Sequence, residues 1–430
     1  MTLSLPTNEL DHQTPFRREH EDSHTRPARI VTLPMAMVFA ATFGAMTSFY
    51  LLLSVVPQYA ISLGGGGLAA GLTTGALMFA TVAAEIATPR FVATYGRRRA
   101  LTASLVLLGL PTFALSASTT TVAVLAVCVV RGIGFAVIAV MGGSLVAALA
   151  PRERRGEALG LYGVVVGVPS VFALPLGVWL VGRVGYSAVF ALAAITALAA
   201  LAAVPGIPEG QLDEPSASSI FHGMRSRGLL RPSIVMAAAA LAAGVVVTFV
   251  PLSLGERSAG LGAVALLVHS VSATAARWWA GRHGDRNVTT NLMIPGMVAS
   301  AVGFLCLVFS GSAVAALLGT LVLGTGFGLA QSATQSQMFN AVDASGYDAV
   351  SAVWNIAYDG GLGVGGAGFG AVASQTGYAP AFALTGALML VALLPSRQRR
   401  RCRSALRELD GATGTENSAT ATETSKAGSF

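Results

Sequence analysis

Twelve apolar runs, each of roughly 17 to 27 residues, are separated by short clusters that hold nearly all of the charge in this chain of 430 residues. The runs begin near Ile30, Leu68, Ala100, Thr121, Ala158, Ala188, Ser233, Ala259, Thr290, Ser312, Ala349 and Ala379. As helix, each is long enough to cross ~30 Å of hydrocarbon. Charged residues make up 11% of the chain, against about a quarter in a soluble domain. The expected fold class is therefore all-α integral membrane, with twelve transmembrane helices.

Arginine placement predicts the orientation. Of 27 Lys+Arg only Lys426 is lysine; Arg183 and Arg257 fall in loops on one side, and Arg131 lies within a run. The remainder sit in the tails, the alternate loops or the adjoining helix ends, which places both termini in the cytoplasm of an inner-membrane protein. The net charge of +7 then reports orientation. A nucleic-acid partner would need a basic groove with interleaved aromatics, and the sequence has none. Cys128, Cys306 and Cys402 have neither disulfide nor metal spacing, so no cofactor or metal is expected. Residues 1–29 are polar and charged, expected to be a disordered tail and not a cleavable signal peptide.

A duplication organises the runs. Gly185 to Leu192 (GYSAVFAL) recurs 192 residues later as Gly377 to Leu384 (GYAPAFAL). In the same register GIGF at Gly132 is echoed by GTGF at Gly324, and Glu85 aligns with Arg277. A duplicated half-chain in so apolar a sequence predicts two pseudo-symmetric six-helix bundles around a shared cavity, the plan of a transporter. The bundles are expected at 30–206 and 233–396, joined by a cytoplasmic linker over 207–232 and followed by a cytoplasmic tail over 397–430. Within the Pro-rich middle stretch, residues 220–227 read equally as a short interfacial helix or as an ordered loop. The tail opens with Arg397-Gln398-Arg399-Arg400-Arg401-Cys402-Arg403, suited to anionic lipid headgroups. The eleventh run carries the glycine-dense stretch 360–368, which predicts close packing with or without a change of shape.

This arrangement resembles the major facilitator superfamily over about 30–396, and within it the twelve-helix proton-coupled drug and metabolite exporters. The family pattern Gly-x-x-x-Asp-Arg-x-Gly-Arg-Arg follows the second helix and repeats after the eighth. Here the second copy keeps Gly281, Asp285 and Arg286, then Asn287; the first keeps Gly96, Arg97 and Arg98 but has Pro89, Ala93 and Thr94 elsewhere in the pattern. In the fourth run Arg131 directly precedes Gly132, with Cys128 one turn earlier where the exporters carry arginine. In the fifth run Pro175 and Gly177 match part of the exporter element, and Arg154-Arg155-Gly156-Glu157 precedes it. The resemblance implies gate pairs between each motif loop and the start of the fifth or eleventh helix opposite. Those are Asp285 with Arg154 or Arg155, and Arg97 or Arg98 with Asp343 or Asp348. Such solvent-side pairs are worth about 1 kcal/mol or less, weak enough to break in every cycle.

Charges inside a membrane are costly and need a partner or a purpose. Asp359 lies near the middle of the eleventh run, with Asn355 one turn earlier and Trp354 and Tyr358 adjacent. A carboxyl kept from water can change protonation near neutral pH, so Asp359 is expected either to carry the proton or to bind a cationic substrate. Arg131 cannot release its proton; it is expected to tune a carboxylate, hold an anionic group, or pair structurally. Glu85 and Arg277 occupy one repeat position with opposite charges and are expected either to pair across the pseudo-two-fold axis, directly or through one neighbour, in the state closed to the cytoplasm, or to reach water separately. His269, with Ser272 one turn on, is a second titratable candidate. Gln331, Thr334 and Gln335 share a face of the tenth run and are expected on the cavity wall, with Phe49 and Tyr50 of the first.

No phosphate loop, metal cluster or nucleophile–base motif is present, so neither catalysis nor ATP is expected to drive the protein. The expected function is export of a small, amphipathic organic molecule in exchange for protons, by a monomer. A proton-coupled importer of a metabolite or sugar is the alternative. A non-transporting receptor or scaffold on the same fold is the alternative of another class.

Overall fold

The computed structural model describes residues 31–151, 154–209, 227–255, 259–284, 292–342 and 347–392. Among these residues there is no strand. The first six helices are α1 (Leu33–Ser62), α2 (Gly66–Tyr95), α3 (Arg97–Ala117), α4 (Thr121–Leu149), α5 (155–184) and α6 (186–206). The second six are α7 (Arg227–Ser253), α8 (Ala259–Gly284), α9 (Met293–Leu307), α10 (Ala313–Phe339), α11 (Tyr347–Thr376) and α12 (Tyr378–Val391). Eight helices of the described residues are long and apolar enough to cross a membrane, one of them the continuous Glu157–Gly206 that contains both α5 and α6. With an even number of helices, residues 31 and 392 lie on one face, the terminal face; the other is the far face.

Local chemistry sets the helix ends. The Thr32 and Thr120 hydroxyls accept hydrogen bonds from the Met35 and Ala123 amides at the starts of α1 and α4, satisfying donors that a helix leaves unpaired. α1 bends at Ser54, where two helical pieces meet. Gly96, Gly185 and Gly377 have φ of 82°, 77° and 81°, a region only glycine enters without steric cost. They break the chain between α2 and α3, α5 and α6, and α11 and α12. The exterior is apolar: Leu33, Val122, Phe172, Trp278, Phe309 and Val314 are all exposed. A continuous apolar exterior is what hydrocarbon, and not water, accommodates.

The duplication persists in the packing. A Cβ on Gly132 would strike the Leu77 carbonyl, and one on Gly324 would strike the carbonyl of His269, the residue 192 positions after Leu77. Gly134 packs on Ser104 and Gly326 on Gly296, again in register. Phe190 and Phe382, equivalent within the repeated octapeptide, are both fully buried.

The bundles meet chiefly through α2 against α11, and through the 155–199 helix against α8. The glycine-dense part of α11 serves two contacts. Gly361 and Gly365 lie on the backbone of α7 at Ala237 and Leu241; Gly366 and Gly370 lie on α2 at Thr74 and Gly71. Small residues let the backbones approach closely. On the far-face side the Thr74 and Thr248 hydroxyls are 2.9 Å apart, and the Ser54 hydroxyl donates to the Val247 carbonyl at 2.5 Å. These contacts seal the far face. α7 begins at Arg227, before the expected start at Ser233. The expected interfacial helix at 220–227 lies almost wholly outside the described residues, as do both tails.

Candidate substrate and proton site

Asp359 is the thirteenth of 30 residues of α11, counted from the terminal face. Glu85 lies ten residues before the terminal-face end of α2. At 1.5 Å per residue both stand about 15 to 18 Å from that face. Because α2 and α11 are the main bundle contact, the equal depth brings the two carboxyl groups together across the interface. Glu85 is 4% and Asp359 5% exposed. Neither Glu85 oxygen completes a hydrogen bond of good geometry, so the carboxyls adjoin without being locked. Two ionised carboxylates about 4 Å apart repel by about 4 kcal/mol at an effective dielectric of 20. One proton between them turns that repulsion into a charge-assisted hydrogen bond.

Around the pair stand aromatic and polar groups from both bundles. The Tyr50 hydroxyl of α1 adjoins that of Tyr358 on α11, and both lie within electrostatic range of Asp359 and of Arg277 on α8. Trp354 and Tyr358 stack with centroids 5.6 Å apart at 20°. Trp354 Nε1 donates to the Thr334 hydroxyl at 3.4 Å, and an Arg277 amino group donates to Gln335 Oε1 at 3.4 Å. Trp354, Asn355, Tyr358, Tyr50 and Gln335 are half-buried. Thr334 and Gln331 are buried, and the Thr334 hydroxyl also donates to the Ala330 carbonyl and touches Met236 Sδ. It joins helices rather than lining open space. Phe49 is buried and stacks on Phe135 at 4.0 Å, which puts it in the first bundle's core.

The Glu85–Arg277 contact is expected in the state closed to the cytoplasm; in the present state, joined at the far face, the two side chains do not pair. Glu85 faces Asp359, and Arg277 turns to Gln335 of its own bundle. Repeat equivalence gives two residues the same depth, but helix neighbours decide which charges meet. Arg131 is 2% exposed; its guanidinium donates to the Leu108 carbonyl at 3.2 Å and the Ser48 carbonyl at 3.3 Å. No carboxylate of the described residues lies within 4.0 Å of it. Arg131 therefore ties α4 to α3 and α1 inside the first bundle. His269 is buried between α8 and α10, beside the Thr320 carbonyl, with Nδ1 unpartnered and Phe327 stacked at 6.1 Å.

Arg98 Nε donates to the Ile207 carbonyl at 2.8 Å, linking the first turn of α3 to the chain just past α6. Arg97 is buried. Arg154 pairs with Glu157, three residues on, at 2.9 Å. The carboxylates expected opposite Arg98 and Arg154 lie outside the described residues or in a turn where only the backbone is described. Asp285, Arg286 and Asp343 lie outside the described residues. Arg155 and Asp348 stand in the first turns of α5 and α11, where only the backbone is described. Gly281 sits on α8 opposite Ser332.

A wide recess lies elsewhere. It measures about 750 Å³, runs along the outside of α8 and α10 past Val271, Trp279 and Leu321, and is almost wholly apolar. It opens outward, where lipid chains would lie, and no charged side chain lines it. Among the described residues no three His, Cys, Asp or Glu side chains are placed to hold a metal ion. The Glu85–Asp359 meeting was missed in the sequence because no register relates the two. The signal that finds it is their matched distance from the terminal face, once α2 and α11 are known to be neighbours.

The sequence profile described as Major Facilitator Superfamily matches residues 38–366. Among solved structures, the nucleoside transporter NupG superposes with a TM-score of 0.68 at 13% identity, covering 84% of this chain and 97% of that one. A bacterial homologue of the human lysosomal transporter Spinster, inward-facing and occupied, gives 0.66 at 15% identity, covering 84% and 93%. The xylose transporter XylE from E. coli, partially occluded and inward open, gives 0.63 at 16%, covering 84% and 95%. At these identities the likeness is one of fold. No curated protein matches the chain by sequence. On a profile match spanning well over half of its length, carried by twin bundles that meet at α2 and α11, the chain belongs to the major facilitator superfamily.

Proposed function

We propose that the protein is a proton-coupled secondary transporter that exports a small amphipathic organic molecule by alternating access. The observation that carries this reading is the Glu85–Asp359 carboxyl pair, one member from each bundle, buried at mid-depth. With a proton between them the two carboxyls hold α2 to α11. With both ionised they repel and favour separation of the bundles. Proton gain and loss thus biases which face is closed. A proton crossing 100 mV releases about 2.3 kcal/mol, against about 1.4 kcal/mol for each tenfold substrate gradient. One proton per cycle then sustains somewhat more than tenfold accumulation. With the termini in the cytoplasm, as the arginine bias predicts, the sealed far face is the external one.

Import of a metabolite is the second reading. It draws on the solved structures of similar fold being nucleoside and xylose transporters. A scaffold without transport has less behind it, because a scaffold has no need to keep two carboxyls buried face to face at this cost. Purified protein in vesicles loaded with a pH-sensitive dye tests the proposal against a panel of dyes, antibiotics and sugars. At least one compound is expected to evoke proton movement that Glu85→Gln/Asp359→Asn abolishes. Proton silence across the whole panel would transfer support to the scaffold reading.

A further inference from the structure

Arg277 has no role in the carboxyl pair, yet Tyr50 and Tyr358 lie near both it and Asp359. Its guanidinium offers five donors and stays charged, and Arg277 is half-buried, where a charge held without an anion is costly. Among the described residues its hydrogen-bond partner is the neutral Gln335 oxygen, at a long 3.4 Å, and no carboxylate lies within 4.0 Å. On the other side Glu85, 4% exposed, aims two unpartnered oxygens at the interface beside Asp359. Near these opposite charges stand the Tyr50 and Tyr358 hydroxyls and the Trp354–Tyr358 stack. The cluster thus has a cationic side, an anionic side and stacked aromatic rings beside them. The titratable and charged groups that neighbour one another here are Tyr50 on α1, Glu85 on α2, Arg277 on α8, and Tyr358 and Asp359 on α11.

We propose that this cluster recognises an aromatic zwitterion: its anionic group on Arg277, its ring against Trp354 and Tyr358, and its ammonium on the Glu85–Asp359 pair. The proposal rests on the transporter reading above and adds the substrate class. The balance of charge is explicit. Before binding, the pair holds one proton and carries one negative charge. The arriving ammonium takes the proton's place, both carboxyls become ionised, and the proton leaves to water. One neutral zwitterion is then exchanged for one proton, and the cluster, with its substrate counted, becomes one unit more negative. A substrate carrying the cation alone would leave Arg277 unanswered, and one carrying the anion alone would leave the proton undisplaced. A substrate with both charges at the ends of a ring answers both.

Three isosteric probes test this: 4-(aminomethyl)benzoate with both charges, 4-methylbenzylamine with the cation, and 4-methylbenzoate with the anion. Binding is read by quenching of tryptophan fluorescence in the purified full chain. The zwitterion is expected to bind at least tenfold more tightly than either singly charged probe. Arg277→Gln should erase its advantage over the amine, and Glu85→Gln its advantage over the benzoate. Arg277→Lys, which keeps the charge, should retain part of the first advantage and guards against a folding artefact; elution as a single species checks all variants. Equal or tighter binding of a singly charged probe, or no binding of any of the three, overturns the assignment. Zwitterion binding without proton movement in vesicles would sink the coupling and leave the recognition standing. Proton movement with other compounds, with all three probes inert, would do the reverse.

Discussion

At the residue scale the buried charges fall into two kinds. Arg131 is answered by two main-chain carbonyls of its own bundle, so its work is to hold α1, α3 and α4 together. Glu85 and Asp359 are answered only across the interface. The distinction makes a prediction. Arg131→Met should lower the yield of folded protein, because two buried carbonyls lose a charged donor, at about 1 to 3 kcal/mol. In the fraction that folds, the ratio of protons to substrate moved should stay as in the parent. Glu85→Gln should give the opposite pattern, with normal yield and a pH-driven transport rate at least tenfold lower. Parallel measurement of size-exclusion yield and of proton-to-substrate ratio in vesicles separates the two, and a changed ratio in Arg131→Met would merge them. Asp359 was legible from sequence as a lone acid deep in an apolar run. The neighbour of Glu85 in this state was not, since opposite charges at one repeat position pointed to Arg277 for the state closed to the cytoplasm. The chain instead sets like beside like, an arrangement no rule of complementary charge anticipates.

At the element scale the helices follow from apolar length, and their breaks from glycine geometry. Gly185 and Gly377 head the repeated octapeptides and both adopt a left-handed φ. A β-carbon added at either would meet no atom within 4 Å, so a side chain there brings strain but no clash. Gly185→Ala is expected to cost about 1 to 2 kcal/mol, read as a lower melting temperature in detergent with transport retained. Gly71 differs: a β-carbon there would strike the Gly366 carbonyl of α11. Gly71→Leu should pry α2 from α11 at the far face and favour the state open there. The reporter is Thr74→Cys, whose labelling by a membrane-impermeant maleimide from the far side should rise severalfold when Gly71→Leu is added. Unchanged labelling would mean that α2 and α11 are not the far-face seal. Glycine density in α11 was visible beforehand; that it serves α7 with one set of glycines and α2 with another was not, because faces are assigned only by neighbours.

At the scale of the whole molecule the bundles are held together at the far face by few polar contacts, among them Thr74 to Thr248 and Ser54 to Val247. Hydroxyls 2.9 Å apart put their β-carbons near the ~3.5 to 4.5 Å that a disulfide requires. In a Cys128→Ala background, Thr74→Cys/Thr248→Cys should cross-link on oxidation and stop transport, with recovery on reduction. Transport that continues in fully cross-linked protein would show that the bundles need not part there. Length, apolar periodicity and the 192-residue register were sufficient to predict an all-helical membrane protein of two related halves. Each of those features is local, or relates a segment to its own copy, and hydrocarbon leaves an apolar run of that length little alternative to a helix. Only the tertiary structure decided which buried charges face one another, which stay within one bundle, and which face of the molecule is sealed. Those outcomes depend on how helices from different halves rotate and approach, and contacts between non-equivalent positions leave no periodic trace in the chain.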